Sequence, residues 1–213
     1  MIKAVIFDLD GVLVSTDKLH YLGWKKIADE EGIYFDELIN NRLRGVSRME
    51  SLDIILERAN KIYTIPEKVA LATRKNDYYR SLLDSLRKED ALEGAFELLT
   101  KLKDMGVKVA IGSSSKNAVK ILEQIQMIDY FDFISDGTKI SKSKPDPEVF
   151  LLAAKELGFN PKDCIVVEDA LSGIDAAYNG NFIPVGIGDA TKHNKCKYKL
   201  QSLLDLVDIV KER

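Results

Sequence analysis

Residues 3–13 of this 213-residue chain read KAVIFDLDGVL, and this stretch decides the fold. The apolar, β-branched run over residues 3–7 predicts a buried strand that ends in a carboxylate-rich turn. If the backbone stays extended through the turn, the side chains of Asp8 and Asp10 share one face. Two carboxylates that lie so close repel each other, so we expect a cation or a shared proton there.

The same pattern, an apolar strand followed by polar residues, returns later in the chain. Helical segments lie between these later strands, and Gly106 and Gly158 mark the ends of two of them. Strands that alternate with helices predict an α/β fold with a doubly wound parallel sheet, whose ligands bind at the carboxyl ends of the strands. The predicted strands are 107–111, 164–167 and 182–187, and the predicted helices are 95–105, 116–126, 147–157 and 171–178.

A helical block interrupts this pattern after the first strand. It contains a helix over residues 17–31, a Ser47-x-x-Glu50 capping box ahead of an apolar run, and a long helix from Pro66 to about residue 86. Since no convincing strand occurs in this block, we predict an inserted all-helical domain, joined to the core by two crossings of the chain that form a hinge. The predicted domains are a core of residues 1–14 and 93–213 and a helical domain of residues 15–92.

The composition excludes several classes of protein. Hydrophobic residues make up 46% of the chain, so a sizeable core can form, and the chain is not of the disordered class. With 31 basic and 34 acidic residues the net charge is -3, which argues against a nucleic-acid-binding protein. Cys164 and Cys196 cannot form a disulfide framework, and the sequence shows neither a signal peptide nor a membrane span. We therefore expect a cytoplasmic protein that binds neither nucleic acid nor membranes. We also expect a monomer.

Carboxylates that end two different strands indicate a metal site. Asp8 and Asp10 follow the first strand, and Glu168 and Asp169 follow the strand over residues 164–167. These side chains could converge, and oxygen ligands without cysteine or nearby histidine suit Mg²⁺. The alternative is that the aspartates only cap turns, which is common for a single such pair.

Two further residues could bind an anion. Ser113 stands where a strand gives way to a helix, and a helix N-terminus with a hydroxyl binds anions well. Lys144 precedes Pro145, which makes Lys144 extended, so that its ammonium could steady a phosphate or an aspartate. Taken alone, Ser113 would be an ordinary N-cap and Lys144 a solvated surface lysine.

These elements together resemble the four ordered motifs of the haloacid dehalogenase superfamily, and the resemblance spans the whole chain. It implies a Rossmann-like core, an inserted helical cap and Mg²⁺ as the cofactor. The aspartate at position 10 favours phosphoryl transfer over dehalogenation. The segments that carry the resemblance are residues 8–13 (DLDGVL), Ser113, Lys144 with Pro145, and residues 168–177 (EDALSGIDAA).

The resemblance also implies a role for each residue of these motifs. Asp8 would be the nucleophile that forms an aspartyl phosphate, and Asp10 would give a proton to the leaving oxygen and later take one from the incoming hydroxyl. Ser113 and Lys144 would hold the phosphoryl oxygens while charge shifts toward the leaving group. The implied Mg²⁺ ligands are Asp8, a carbonyl near Asp10, Glu168 and Asp169.

The inserted domain resembles the cap of the sugar phosphomutases in this superfamily, notably over residues 45–52 (GVSRMESL) and 74–77 (RKND). Arg48 suits a second, non-reacting phosphate, which a bisphosphate intermediate needs and a simple phosphatase does not. As alternatives, Arg48 could be a surface arginine, His20 structural, and Trp24 packed in the cap rather than a platform for sugar. The candidate substrate-binding residues are Thr16, His20, Trp24, Gly45, Val46, Arg48, Ser51, Lys75, Ser115, Lys116 and Asn117.

The activity implied by the resemblance is that of a mutase. Phospho-Asp8 would pass its phosphoryl group to β-glucose 1-phosphate, and the resulting β-glucose 1,6-bisphosphate would return the other phosphate and leave glucose 6-phosphate. The alternative within the superfamily is a Mg²⁺-dependent sugar-phosphate phosphatase with water as the acceptor. A third hypothesis is a phosphosugar-sensing module without turnover, against which the complete set of Asp8, Asp10 and Asp169 argues.

Overall fold

The structure is a computed structural model, and it describes residues 1–43 and 46–212. These residues form a six-stranded sheet in which all neighbouring strands are parallel. The strands are β1 Ala4–Phe7, β2 Lys108–Gly112, β3 Phe133–Ser135, β4 Cys164–Glu168, β5 Ile183–Gly186 and β6 Tyr198–Lys199. Their spatial order is β3-β2-β1-β4-β5-β6, which confirms the predicted doubly wound parallel sheet.

Strand β1 lies in the interior of this sheet, since its four apolar residues are fully buried. Phe7 lies opposite both Ile111 of β2 and Val167 of β4. The residues that follow these three therefore stand together at the carboxyl edge of the sheet. The strand order also reverses at β1, so this edge is the place where a doubly wound sheet binds its ligand.

Four of the strands lie within one residue of their predicted ends. The other two, β3 and β6, were not predicted. They have only three and two residues, which is too short for a pattern of alternating apolar and polar side chains to emerge. The position of β3 is instead fixed by a tertiary contact, because the carboxylate of Asp132 accepts the N–H of Val109 on β2 at 2.9 Å.

Helices cover the sheet and fill the insert. In the core, α7 packs against β1, β2 and β3, α8 packs against β4 and β5, and α5 packs against β2. Their contact with the sheet buries side chains such as Ile6, Phe150 and Val166 in one apolar cluster. The helices are α1 Asp17–Glu30, α2 Glu37–Asn41, α3 Arg48–Leu56, α4 Ile65–Leu83, α5 Ala95–Asp104, α6 Ala118–Gln124, α7 Glu148–Leu157, α8 Leu171–Asn179 and α9 Leu206–Lys211.

The insert consists of helices α1 to α4 around its own apolar cluster, which includes Trp24, Ile27 and Leu52. The predicted capping box is present, because the Ser47 N–H donates to the Glu50 carboxylate at 2.8 Å and the Glu50 N–H donates to Ser47 Oγ at 3.3 Å. Within the described residues, none of the helices has the length and apolar character that a membrane crossing requires.

The chain divides into two compact units, a core unit of residues 1–15 and 87–213 and a helical unit of residues 16–86. The second division thus falls six residues before the predicted boundary at 92/93. Residues 87–92 belong to the core unit because the chain pairs there with the segment after β1. Ala91 bridges to Val14, and the N–H of Leu92 donates to the carbonyl of Leu13 at 2.8 Å.

Candidate active site

Three strand ends place the first side chains of the candidate site. Asp8 follows β1, and its N–H extends the sheet by donating to the carbonyl of Val167 at 2.9 Å. Ser113 follows β2 and donates its N–H to the carbonyl of Ser135 at 3.0 Å, while Glu168 is the last residue of β4. All three side chains, Asp8, Ser113 and Glu168, are buried at the carboxyl edge.

Three carboxylates meet at this edge. One oxygen from each of Asp8, Glu168 and Asp169 lies within 4.8 Å of the other two. Three negative charges at this separation repel one another strongly, and only a cation or bound protons can relieve the repulsion. Among the described residues, the carboxylate of Asp10 is outside this group. Its predicted contribution to a metal therefore depends on a backbone carbonyl.

Lys144 supplies a positive charge to this cluster. Its Nζ donates to Asp8 Oδ1 at 2.5 Å and also to Glu168 Oε1, and it lies 4.8 Å from the centre of the Phe150 ring. The side chain is only 6% exposed, although the loop that carries it, between β3 and α7, is at the surface on either side. Lys144 is therefore buried against the predicted nucleophile, and the alternative of a solvated surface lysine is wrong.

The electrostatics of the cluster follow from burial and crowding. Burial, followed by the neighbouring charges of Asp8 and Glu168, raises the pKa of Asp169 to about 8. Burial also raises the pKa of Glu168 to about 7, although Lys144 opposes this shift. For Lys144, burial lowers the pKa, but the charges of Asp8 and Glu168 outweigh it and hold the pKa above its usual value. Without a metal, this site therefore retains protons near neutral pH.

Two glycines leave the space that these carboxylates occupy. Gly11 has a φ of +83°, which favours glycine, and a Cβ at this position would lie 2.1 Å from Oδ2 of Asp169. A Cβ at Gly173 on α8 would lie 1.9 Å from Cδ of Glu168. Both glycines belong to segments quoted for the resemblance. The structure gives a steric reason for each of them.

The segment after β2, residues 113–117, forms a loop held by its own hydroxyl groups. Ser113 Oγ accepts the N–H of Ser115 at 3.2 Å, and Ser115 Oγ accepts the N–H of Asn117 at 3.1 Å. Because these N–H groups bond to side chains, α6 begins only at Ala118, two residues later than predicted. Lys116 therefore lies in the loop with its side chain exposed, and Asn117 is buried as the N-cap.

In the helical unit, the half-buried His20 and the buried Lys75 form a pair. Lys75 Nζ lies 2.8 Å from His20 Nδ1, and it stands 4.9 Å and 4.4 Å from the ring centres of Trp24 and Tyr79. Burial, followed by the charges of Lys75 and Arg48, lowers the pKa of His20 well below its usual range. The imidazole is therefore neutral near pH 7, and its Nδ1 can accept a hydrogen bond from the ammonium.

Tyr79 packs against both His20 and Lys75, and the sequence analysis did not identify it as a candidate. Its ring lies 4.2 Å from the His20 ring, and its hydroxyl donates to Oγ1 of the buried Thr16 at 3.0 Å. The available signal was its spacing, since Tyr79 stands four residues after Lys75 on α4 and shares its face. Trp24 is 3% exposed and belongs to the apolar cluster of the helical unit. Trp24 therefore packs inside the helical unit, which is the alternative to a platform for sugar.

The remaining candidates of the helical unit lie on and before α3. Arg48 is the first residue of α3; burial lowers its pKa, while Tyr79 and Asp77 oppose the shift. Val46 is exposed, Ser51 is buried within the helix, and Gly45 lies outside the described residues.

Comparison with known proteins adds independent information. Residues 2–180 match the family model of haloacid dehalogenase-like hydrolases. The chain is 47% identical to a β-phosphoglucomutase of Bacillus subtilis, over 87% of this chain and 83% of the relative. It is 32% identical to a phosphorylated carbohydrates phosphatase of Thermotoga maritima, over 82% of this chain and 80% of the relative. A crystal structure of a β-phosphoglucomutase from Clostridium difficile superposes with a TM-score of 0.92 at 44% identity, covering 100% of this chain and 96% of the other.

Proposed function

Because this chain belongs to the family of haloacid dehalogenase-like hydrolases, we propose that it transfers a phosphoryl group through Asp8 and interconverts β-D-glucose 1-phosphate and glucose 6-phosphate. The observation that carries this proposal is the 47% identity with the B. subtilis β-phosphoglucomutase over 87% of the chain. The carboxylate cluster alone would suit a phosphatase equally well, since both reactions begin at a nucleophilic aspartate.

The proposed chemistry takes place in two transfers. A carboxylate oxygen of Asp8 attacks the phosphorus of the bisphosphate, the bond from phosphorus to the sugar oxygen breaks, and Asp10 protonates that oxygen. In the other transfer, a hydroxyl of the sugar monophosphate attacks the phosphorus of phospho-Asp8, Asp10 removes the proton of this hydroxyl, and the bond from phosphorus to the Asp8 oxygen breaks. The phosphoryl group thus returns to the other end of the sugar, and Asp8 is regenerated.

Lys144 and Ser113 would assist by stabilising the negative charge of the phosphoryl group. The Lys144 ammonium already contacts Asp8 and is nine-tenths buried, so its interactions are little screened by water. We propose that it binds a phosphoryl oxygen as negative charge moves toward the leaving group, together with the hydroxyl of Ser113.

The donor set fits a divalent cation that prefers oxygen. Asp8, Glu168 and Asp169 bring carboxylate oxygens within 4.8 Å of one another, without cysteine or histidine among them. We propose that these residues, with the carbonyl at Asp10, hold Mg²⁺. When bound, Mg²⁺ would neutralise the carboxylates and polarise the phosphoryl group.

We expect the affinity for Mg²⁺ to rise steeply with pH. The pKa values of about 7 for Glu168 and about 8 for Asp169 mean that binding must displace protons below pH 8. Calorimetry at pH 6.5, in buffers of different ionisation enthalpy, should show one to two protons released per Mg²⁺ and fewer at pH 9. Since both pKa values exceed those of the unfolded chain, the metal-free protein should also lose stability as the pH rises from about 5 to about 8, above which the effect levels off. An affinity that is independent of pH would contradict this assignment of the ligands.

A mutase also needs ligands for the phosphate that does not react. We propose Arg48 for this role in the helical unit, since a guanidinium binds phosphate through two parallel hydrogen bonds. In the core unit, the loop of residues 113–117 offers the exposed ammonium of Lys116 and the polar side chains of Ser115 and Asn117. Thr16, His20, Ser51 and Lys75 are proposed to support substrate binding from the helical unit.

Replacing Arg48 with alanine should impair isomerisation far more than hydrolysis of acetyl phosphate. Acetyl phosphate has no second phosphate, so the loss should be about 10²-fold for the first reaction and less than threefold for the second. The matched control is Arg58→Ala, which removes an exposed arginine of the same unit and should change neither rate. Equal losses in both reactions would argue against a second phosphate site at Arg48.

The identity of the product tests the proposed function directly. β-Glucose 1-phosphate is supplied with Mg²⁺ and a trace of β-glucose 1,6-bisphosphate, and glucose 6-phosphate and inorganic phosphate are both measured. Formation of glucose 6-phosphate supports the mutase. Release of inorganic phosphate with free glucose would instead support the phosphatase, the alternative to which the 32% identity with the T. maritima phosphatase points.

We further propose that the chain acts as a cytoplasmic monomer without nucleic-acid or membrane partners. The near balance of 31 basic and 34 acidic residues supports the absence of a polyanionic partner. The molar mass of the purified chain, measured by analytical ultracentrifugation, would test whether it is a monomer.

A further inference from the structure

We propose that Gly137 is a positioning residue for the loop of residues 113–117. This inference rests on the proposed function, in which the loop supplies phosphate ligands, and it assigns the placement of that loop to a turn outside it. The turn follows β3 and contains Asp136, Gly137 and Thr138.

The turn and the loop are joined through their backbones. The N–H of Gly137 donates to the carbonyl of Ser115 at 3.1 Å, and the N–H of Ser113 donates to the carbonyl of Ser135 at 3.0 Å. The second bond continues the register of β2 and β3, whereas the first lies beyond the sheet. The position of residues 114–116 therefore depends on where the turn holds Gly137.

The turn is itself rigidly held. Oδ1 of Asp136 accepts the N–H of Thr138 at 3.0 Å and the Thr138 hydroxyl at 2.5 Å, and the Asp136 side chain is buried. The N–H of Lys139 closes the turn by donating to the carbonyl of Asp136 at 3.0 Å. A turn fixed by three hydrogen bonds can serve as a template for the backbone packed against it.

Glycine is required at position 137 because the two backbones touch. A Cβ there would lie 2.3 Å from the carbonyl oxygen of Ser114 and 3.0 Å from the amide nitrogen of Lys116. Gly137 is not among the described glycines with positive φ, so the requirement is one of space and not of backbone conformation. Any side chain would have to push the loop away by about 1 Å, a displacement that can cost about 10²-fold in rate at a catalytic site.

The test compares Gly137→Ala with Gly180→Ala. Gly180 ends α8 with a φ of −82°, and a Cβ there would crowd Cε2 of Phe182 at 2.7 Å, so the control introduces a milder clash, with a side chain, away from the loop. In ¹H–¹⁵N spectra of the ligand-free proteins, Gly137→Ala should shift the amide signals of residues 114–117 and Gly180→Ala should not.

Kinetics provide the second readout. For Gly137→Ala, the KM for β-glucose 1,6-bisphosphate should rise at least tenfold, while phosphorylation by acetyl phosphate should fall less than threefold. Should the alanine variant fail to fold, Thr138→Val offers a milder change, because it removes one hydrogen bond of the turn at nearly constant volume. It should shift the same amide signals.

Unshifted amide signals in residues 114–117, or an equal loss with both phosphoryl donors, would overturn the role of Gly137. The ¹H–¹⁵N spectra are recorded on the ligand-free proteins, so they do not depend on catalytic activity. A wild-type chain that makes no glucose 6-phosphate would therefore refute the proposed function, and the amide shifts would still decide whether Gly137 positions the loop.

Discussion

Replacing Asp8 with asparagine should abolish turnover, with kcat falling at least about 10⁴-fold. The amide oxygen is a poor nucleophile, so no aspartyl phosphate can form at the end of β1, and the other carboxylates of the cluster, Glu168 and Asp169, are proposed to hold Mg²⁺ instead. Formation of glucose 6-phosphate in a coupled assay measures the loss. Trapping with radiolabelled bisphosphate shows directly whether the chain still becomes phosphorylated.

A matched variant separates loss of the nucleophile from a general effect of removing an acid. Asp208 lies on α9 of the same unit with a side chain that is 81% exposed, and Asp208→Asn should retain full activity. Mutase activity that persists in Asp8→Asn would refute the assignment of the nucleophile. Folding of this variant is checked by its thermal transition, since it also loses one partner of Lys144.

Replacing Lys144 with methionine should produce the second large effect, on both stability and rate. The change leaves Asp8 and Glu168 buried side by side without their shared cation, which should cost about 3–5 kcal/mol of unfolding free energy in metal-free buffer at pH 8. Losing a charged donor to the phosphoryl group should lower kcat by about 10²- to 10³-fold. Urea unfolding in EDTA and steady-state kinetics measure these two effects.

The stability loss should depend on how the remaining carboxylates are neutralised. Glu168 and Asp169, with pKa values raised to about 7 and about 8, are protonated at pH 5, and Mg²⁺ would neutralise the cluster at pH 8, so either condition should reduce the difference between variant and wild type. The control is Lys142→Met, two residues away, whose side chain is 71% exposed and should leave both quantities unchanged. A Lys144→Met deficit that is identical at pH 5 and pH 8, with and without Mg²⁺, would show that charge compensation is not its cause.

Much of the sheet could be predicted because β1, β2, β4 and β5 are each a run of apolar residues bounded by turn signals. The residues after them could be assigned to one edge, since parallel strands of a doubly wound sheet end together. Local pattern does not reveal β3, because its location depends on Asp132 bonding to β2. The start of α6 was misplaced for a related reason, as side chains of the loop capture N–H groups that the helix would otherwise use.

For the candidate site, the sequence identifies which side chains have the chemistry that phosphoryl transfer needs. It does not identify the neighbours that position each side chain. The burial of Lys144 against Asp8 joins residues 136 positions apart, and no local signal encodes that contact. The same holds for Gly137, whereas the only local signal for Tyr79 was its spacing from Lys75 on α4. Tyr79 contacts the ring of His20 and the hydroxyl of Thr16, which lie far from it in the sequence. Gly137 contacts the backbone of the loop that follows β2.

The interior position of β1 has a consequence for how the protein is made. This strand precedes both of its neighbours in the chain, since β2 and β4 begin at residues 108 and 164. Residues 16–86, by contrast, form a compact unit within a continuous stretch of chain and can fold while the rest is still being synthesised. The apolar strand ahead of the proposed nucleophile can therefore pair on one side only after β2 has been synthesised, and on the other side only after β4. Until both neighbours are available, the exposed edges of this strand are a place where the nascent chain can aggregate.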